Sequence, residues 1–112
     1  QKGKEAIVAL GKVLESQTDI TILVEGHTDV DKIIPGSNLK DNWDLSVLRS
    51  TAVVRLLGEN KNINPKRLTA AGRGEFIPVD PDKTEAAKSK NRRIEVILTP
   101  NLDELLKILE AK

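Results

Sequence analysis

Asp19-Ile20-Thr21-Ile22-Leu23-Val24-Glu25 is the stretch on which the fold turns. Apolar and β-branched residues crowd this short run, so it reads as a strand rather than a helix. The pattern just before it is different. Across residues 4–16, Ile7, Val8, Leu10, Val13 and Leu14 recur at helical spacing, and the polar Thr18-Asp19 step ends that periodicity. Just after the strand, residues 26–41 hold Pro35, two glycines and three aspartates with little periodicity. That is long for a plain connection in a small domain, and long ordered loops commonly carry function.

From Asn42 onward a second helix is expected, with Asp41 or Asn42 as its N-cap and the turn-rich residues 58–65 as its end. Leu45, Leu48, Ala52, Val53 and Leu56 form its apolar stripe, and at about 100° per residue Arg49 falls among them, beside Leu45 and Leu56. A guanidinium keeps its charge and is seldom buried without a partner, so Arg49 calls for an internal carboxylate or an anionic ligand at the helix edge. Asn42, one heptad earlier, projects from nearly the same side.

After Pro65, Arg67-Leu-Thr-Ala-Ala-Gly72 reads as a short strand, and Gly72-Arg73-Gly74 opens an irregular segment. The polar run of residues 82–90 reads as a solvated loop, with or without a helical turn. Arg93-Ile-Glu-Val-Ile-Leu98 alternates polar and apolar residues as a half-buried strand does, and Pro100 closes it. Leu102, Leu105, Leu106 and Leu109 give a last amphipathic helix, expected to pack on the sheet. The order helix-strand-helix-strand-strand-helix predicts an α/β (α+β) two-layer sandwich with helices on one face of a thin sheet.

Size and composition narrow the classes. The 112 residues suit a single domain spanning 1–112. Eighteen Lys and Arg against 17 Asp and Glu leave almost no net charge, and one Trp, one Phe and no Tyr leave almost no stacking surface. Nucleic acid is therefore disfavoured. The absence of cysteine removes disulfides, thiolate metal sites and cysteine nucleophiles. No run approaches the roughly 18 apolar residues of a membrane span, so no direct insertion is expected. No signal-peptide pattern opens the chain, and Gln1-Lys2-Gly3-Lys4 lacks an initiator Met, which fits a processed or excised domain.

The chemistry centres on the first strand's end. In Gly26-His27-Thr28-Asp29 the aspartate lies just past the strand's C-terminus, where open α/β sheets hold ligands, and it can face Arg49 across a cleft. Two readings stand side by side. Either acid and base form a split site suited to a zwitterion such as an amino-acid headgroup, or they form an internal salt bridge that anchors the loop. His27 with Asp29 and Asp31 is a thin metal set, so neither metal nor cofactor is expected. Thr28 and Ser46 lack a catalytic arrangement, so no enzyme is expected. Trp43 is either a sugar-stacking platform or a half-exposed contact at the helix cap, and Gly72-Arg73-Gly74 either cradles an anion or shapes a turn.

Four motifs in order, Val24-Glu-Gly-His-Thr-Asp29, Asp41-Asn-Trp-Asp-Leu-Ser-Val-Leu-Arg-Ser50, Arg67-Leu-Thr-Ala-Ala-Gly-Arg-Gly74 and Asn91-Arg-Arg-Ile-Glu-Val96, together resemble the OmpA-like C-terminal domain of the OmpA/Pal/MotB family. The likeness covers nearly the whole chain. It implies a mixed sheet of βαβαβ type and non-covalent peptidoglycan binding through the diaminopimelate of the stem peptide. It also implies a periplasmic domain of an outer-membrane or envelope-anchored protein in a Gram-negative bacterium. By the same likeness Asp29 takes the ammonium of diaminopimelate and Arg49 a carboxylate. Asn42 supplies hydrogen bonds or holds the loop, and Arg92 stands at the rim. An alternative on the same fold is an envelope assembly or stator-type interaction domain.

The chain departs from the family pattern in three places. Asp31 stands where a hydroxyl residue or asparagine is usual, and residues 33–36 lengthen the loop. The family's leading strand has no counterpart before the first helix. An uncovered sheet edge is a pairing hazard, so lower stability or a homodimer is expected.

Overall fold

The computed structural model describes residues 2–100 and 102–110, with side chains for 3–100 and 106–110. Its elements are α1 (Lys2–Leu14), β1 (Ile20–His27), α2 (Asn42–Gly58), a 3-10 turn (Pro65–Arg67), β2 (Leu68–Gly72), α3 (Glu85–Asn91), β3 (Arg93–Pro100) and α4 (Leu102–Glu110). The sheet order is β2-β1-β3, with β1 parallel to β2 and antiparallel to β3. A parallel pair needs a crossover, and α2 supplies it. The fold is thus a three-stranded sheet with helices, as the residue pattern suggested, and the sheet is mixed, as the family likeness implied.

The strand β1 is central, and its alternation decides the layers. Ile22, Val24 and Gly26 face α2, with Ile22 and Val24 almost fully buried alongside Leu14, Leu57 and Ile63. Leu23, Glu25 and His27 occupy the other face, because successive side chains of a strand alternate. Of the α1 stripe, Ile7, Leu10 and Leu14 pack inward, whereas Val8 and Val13 are exposed.

The face that α2 turns to the sheet differs from the apolar stripe expected of it. Its buried residues are Asn42, Ser46, Ser50 and Leu57, while Leu48 is half exposed. Small serines let the helix approach closely, and two glycines receive it. A Cβ on Gly26 would overlap the Ser46 carbonyl, and one on Gly72 would lie 2.7 Å from the Val47 nitrogen. The Ser46 hydroxyl donates to the Trp43 carbonyl at 3.0 Å and accepts from the Gly74 N–H at 3.0 Å. These contacts set α2 against the ends of β1 and β2.

Two other regions refine the sequence reading. Residues 82–90 include a true helix, because the Thr84 hydroxyl caps α3 by accepting from the Ala87 N–H at 3.1 Å. The described apolar side chains of α4, Leu106, Ile108 and Leu109, are each more than half exposed, so this part of the helix does not cover the sheet as expected. The side chains of Leu102 and Leu105 lie outside the described residues.

The 3-10 turn places an arginine that the motif reading passed over. Arg67 is buried, its Nε donating to the Ile20 carbonyl at 2.8 Å, Nη1 to the Leu14 carbonyl at 3.0 Å and Nη2 to the Gln17 carbonyl. A fixed fork of donors here closes the end of α1 and the start of β1 together.

Candidate functional site

At the opposite end of β1, a cavity of about 360 Å³ opens between the loop after β1 and the first turns of α2. Asp29, Asn42, Arg49 and Arg92 all line it. The four residues singled out from sequence, drawn from three separate segments, therefore meet in one place. Ile33, Ile34, Leu39 and Leu45 supply an apolar wall.

Local structure fixes each side chain. Asp41 caps α2 by accepting from the Asp44 N–H at 3.1 Å, which starts the helix beside the cavity. Two turns later Arg49, half buried, donates from Nη1 to the His27 carbonyl at 3.0 Å. Its other N–H groups have no partner among the described residues, so the guanidinium is anchored on one side and available on the other.

Asp29 is almost buried and its carboxylate is engaged at both oxygens. Oδ1 accepts from the Asp31 N–H at 2.9 Å, and Oδ2 meets Arg92 Nη1 at 2.5 Å. The direct partner of the aspartate is thus Arg92 rather than Arg49, which shares the cavity without pairing to it. Arg92 has 43 % of its side chain exposed, which places it at the rim.

Asn42 holds the loop. Its Nδ2 lies 3.3 Å from the Asp29 carbonyl, 3.0 Å from the Asp31 carbonyl and 3.1 Å from Glu75 Oε1. Its buried Oδ1 has no hydrogen-bond partner among the described residues, an uncommon state for a buried polar atom. Asp31 turns outward to Lys88 Nζ at 2.9 Å, stapling the loop to α3. The Asp31 carboxylate raises the Lys88 pKa above the usual lysine value by accepting its hydrogen bond. Glu75 and Lys88 were not visible as site residues in the sequence, because each contributes only after the loops have closed.

His27, Asp29 and Asp31 do not converge. His27 lies on the far face of the sheet, with Nε2 2.8 Å from Glu25 Oε1 and 3.7 Å from Glu95 Oε2. One signal for this grouping was present, the same-face spacing of Glu25 and His27 along β1. The donor atoms of Glu25, His27 and Glu95 lie within 4.8 Å of one another, but Arg93 Nε already sits 2.6 Å from Glu95 Oε2 as the local cation. That contact holds the Glu95 carboxyl below the usual glutamate range. The N–H groups of Arg73 and Gly74 are likewise engaged, with the Gly26 carbonyl and the Ser46 hydroxyl, so this segment is a clasp rather than an anion cradle. Among the described residues no helix is long and apolar enough to cross a membrane.

A carboxylate, two guanidinium groups and an apolar wall thus share one open cavity on an α+β scaffold. The chain belongs to the OmpA family, whose model matches residues 1–92. It is 43% identical over 79 residues to Motility protein B of Bacillus subtilis, a match covering 70% of this chain and 30% of that protein. It is also 40% identical over 72 residues to outer membrane porin F of Pseudomonas fluorescens, covering 64% of this chain and 20% of that protein. Among solved structures, a MotB-like protein from Desulfovibrio vulgaris superposes with a TM-score of 0.78 at 33% identity, over 85% of this chain and 58% of that one. The peptidoglycan-associated lipoprotein of Burkholderia pseudomallei shares the fold, with a TM-score of 0.75 at 23% identity, over 88% of this chain and 79% of that one. The chain thus spans less than a third of the length of either curated relative named.

Proposed function

We propose that this domain binds peptidoglycan without catalysis, holding the diaminopimelate of the stem peptide and so tethering an envelope protein on the side facing the wall. The observation that carries the reading is the half-satisfied guanidinium of Arg49 in the same cavity as the Asp29 carboxylate. Diaminopimelate ends in an amino-acid headgroup, with an ammonium and a carboxylate on one carbon. Asp29 suits the ammonium, and Arg49 suits the carboxylate through two parallel N–H groups. Arg92, displaced from Asp29 as the ammonium arrives, is positioned to follow the carboxylate at the rim. Ile33, Ile34, Leu39 and Leu45 would cover the methylene chain.

Membership of the OmpA family and likeness to a peptidoglycan-associated lipoprotein support this reading. Truncating one partner of a desolvated charge pair costs about 2 kcal/mol or more, roughly thirtyfold in affinity. Asp29→Ala and Arg49→Ala, each confirmed to be folded, are therefore expected to remain in the supernatant when purified peptidoglycan is sedimented, while the parent is carried down. Sedimentation of both folded variants like the parent would show that the cavity is not the wall site.

A further inference from the structure

The lone Trp and lone Phe of the chain sit against each other on the surface. The rings of Trp43 and Phe76 have centroids 5.1 Å apart with planes inclined at 32°, yet the residues are 49% and 58% exposed. A core assembled from aliphatic side chains has left both large rings outside, forgoing the stabilisation their burial would bring. The arrangement is nonetheless built. Gly74, at φ +60, is fixed by the Ser46 hydroxyl and by the Thr28 N–H, and a Cβ there would press on the Phe76 ring at 3.2 Å.

This platform adjoins the charged cavity. Leu39 lines both that cavity and the shallow groove along Trp43, Asp44, Val47, Thr51 and Arg55. Asn42, inside the cavity, is the neighbour of Trp43 in the first turn of α2. The side chain of Arg55, which lines the groove, has no hydrogen-bond or ion-pair partner among the described residues.

We infer that Trp43, backed by Phe76, is a stacking subsite for an N-acetylhexosamine ring of the glycan strand whose peptide occupies the charged cavity. The inference rests on the peptidoglycan reading above. The C–H face of a pyranose carries partial positive charge and meets the negative face of an indole, while its hydroxyl and acetamido groups need polar neighbours. Arg55 offers unengaged donors for them. A peptide stem reaches about 3.5 Å per residue, so a sugar two or three residues from the diaminopimelate belongs in a neighbouring groove rather than in the same cavity. The groove holds about 380 Å³, the scale of one ring, whereas a stable protein partner would need roughly 800 Å² of surface on each side.

Trp43 also provides the readout, being the single source of indole fluorescence. The test titrates the parent with a diaminopimelate-containing tripeptide and with the same tripeptide carrying its disaccharide, following emission and heat. The disaccharide is expected to tighten binding by about fivefold or more, the low end for aromatic stacking on a planar ligand, and to change the emission more than the peptide alone. Trp43→Ala and Phe76→Ala should remove that increment and leave tripeptide affinity within about twofold; Trp43→Phe should retain part of it. Equal affinity of the parent for the two ligands, or an equal loss for both in Trp43→Ala, overturns the subsite. Sugar-dependent binding that Trp43→Ala abolishes, with no binding of the tripeptide, would uphold the subsite and overturn the peptide reading. No binding of either ligand would overturn both.

Discussion

Arg67 and Arg49 stand near opposite ends of β1 and use the same side chain for opposite purposes. At the strand's start, Arg67 directs donors to three carbonyls, those of Leu14, Gln17 and Ile20, and is only 7% exposed. At the strand's end, Arg49 gives one hydrogen bond to the His27 carbonyl and keeps the rest of its fork toward an open cavity. A guanidinium saturated by backbone acceptors is a fastening. One that is held on a single side, next to a carboxylate that another residue already neutralises, keeps unused donors, which is what the proposed carboxylate contact requires. The difference lies in the number of acceptors that the fold supplies, not in burial alone.

The sharpest way to break this contrast is to remove each arginine and measure stability and binding separately. Arg67→Ala strands three carbonyls in a closed region, and each loss of a charged donor costs about 1.5–3 kcal/mol. The expected loss is about 3 kcal/mol or more, seen in denaturant unfolding as a lower midpoint with an unchanged slope. Arg67→Lys should fail almost as badly, since a single ammonium cannot reproduce the fork.

Gly26→Ala tests the other support of the cavity. Its Cβ would collide with the backbone of Ser46 and push α2 away from β1, an overpacking cost of about 1–3 kcal/mol. Because α2 carries Asn42 and Arg49, ligand affinity should fall with stability in this variant. Arg49→Ala is expected to differ from both, with unfolding within about 1 kcal/mol of the parent but wall binding largely lost. A melting loss in Arg49→Ala as large as that in Arg67→Ala would erase the distinction between fastening and binding arginine.

The smallest effect concerns the far face of the sheet. Arg93 lowers the Glu95 pKa below its ordinary value of 4.5, so this pair contributes stability above the ordinary glutamate range and loses it as pH falls through the lowered value. Glu95→Gln should therefore lower the unfolding midpoint slightly at pH 7, by an amount that shrinks as pH falls below the ordinary glutamate range, because a part-exposed pair contributes little. Wall binding should not respond.

Much of the framework could be read from residue order. The switch from helical spacing to the run Ile20–Val24 marked α1 and β1, and the misplaced charge of Arg49 located the cavity before any motif was considered. Asp29 followed from its place just past the end of β1 and Asn42 from its position one heptad before Arg49, while Arg92 rested on motif likeness alone, and all four line one cavity. Of the two readings of Asp29 and Arg49, the internal salt bridge is not formed, because Arg92 reaches Asp29 across 63 positions, a closure that local periodicity does not encode. The stripe on α2 was misjudged for a different reason. Hydrophobic patterning marks faces that bury large side chains, whereas this helix seats Ser46 against two glycines, buries Ser50 and leaves Leu48 half exposed. Arg67 escaped notice because its acceptors are backbone carbonyls, which carry no side-chain signature. Helix α3 escaped because its cap, Thr84, opens a run with few apolar residues.

Calorimetric titration with free meso-diaminopimelate addresses the role of Arg49 most directly, because it isolates the headgroup from sugar and from the rest of the wall. The parent should bind it saturably, and Arg49→Ala, with a melting temperature close to the parent's, should bind at least about tenfold more weakly. Absence of binding by the parent, or equal binding by the folded Arg49→Ala variant, would contradict the assignment of the open guanidinium to a ligand carboxylate.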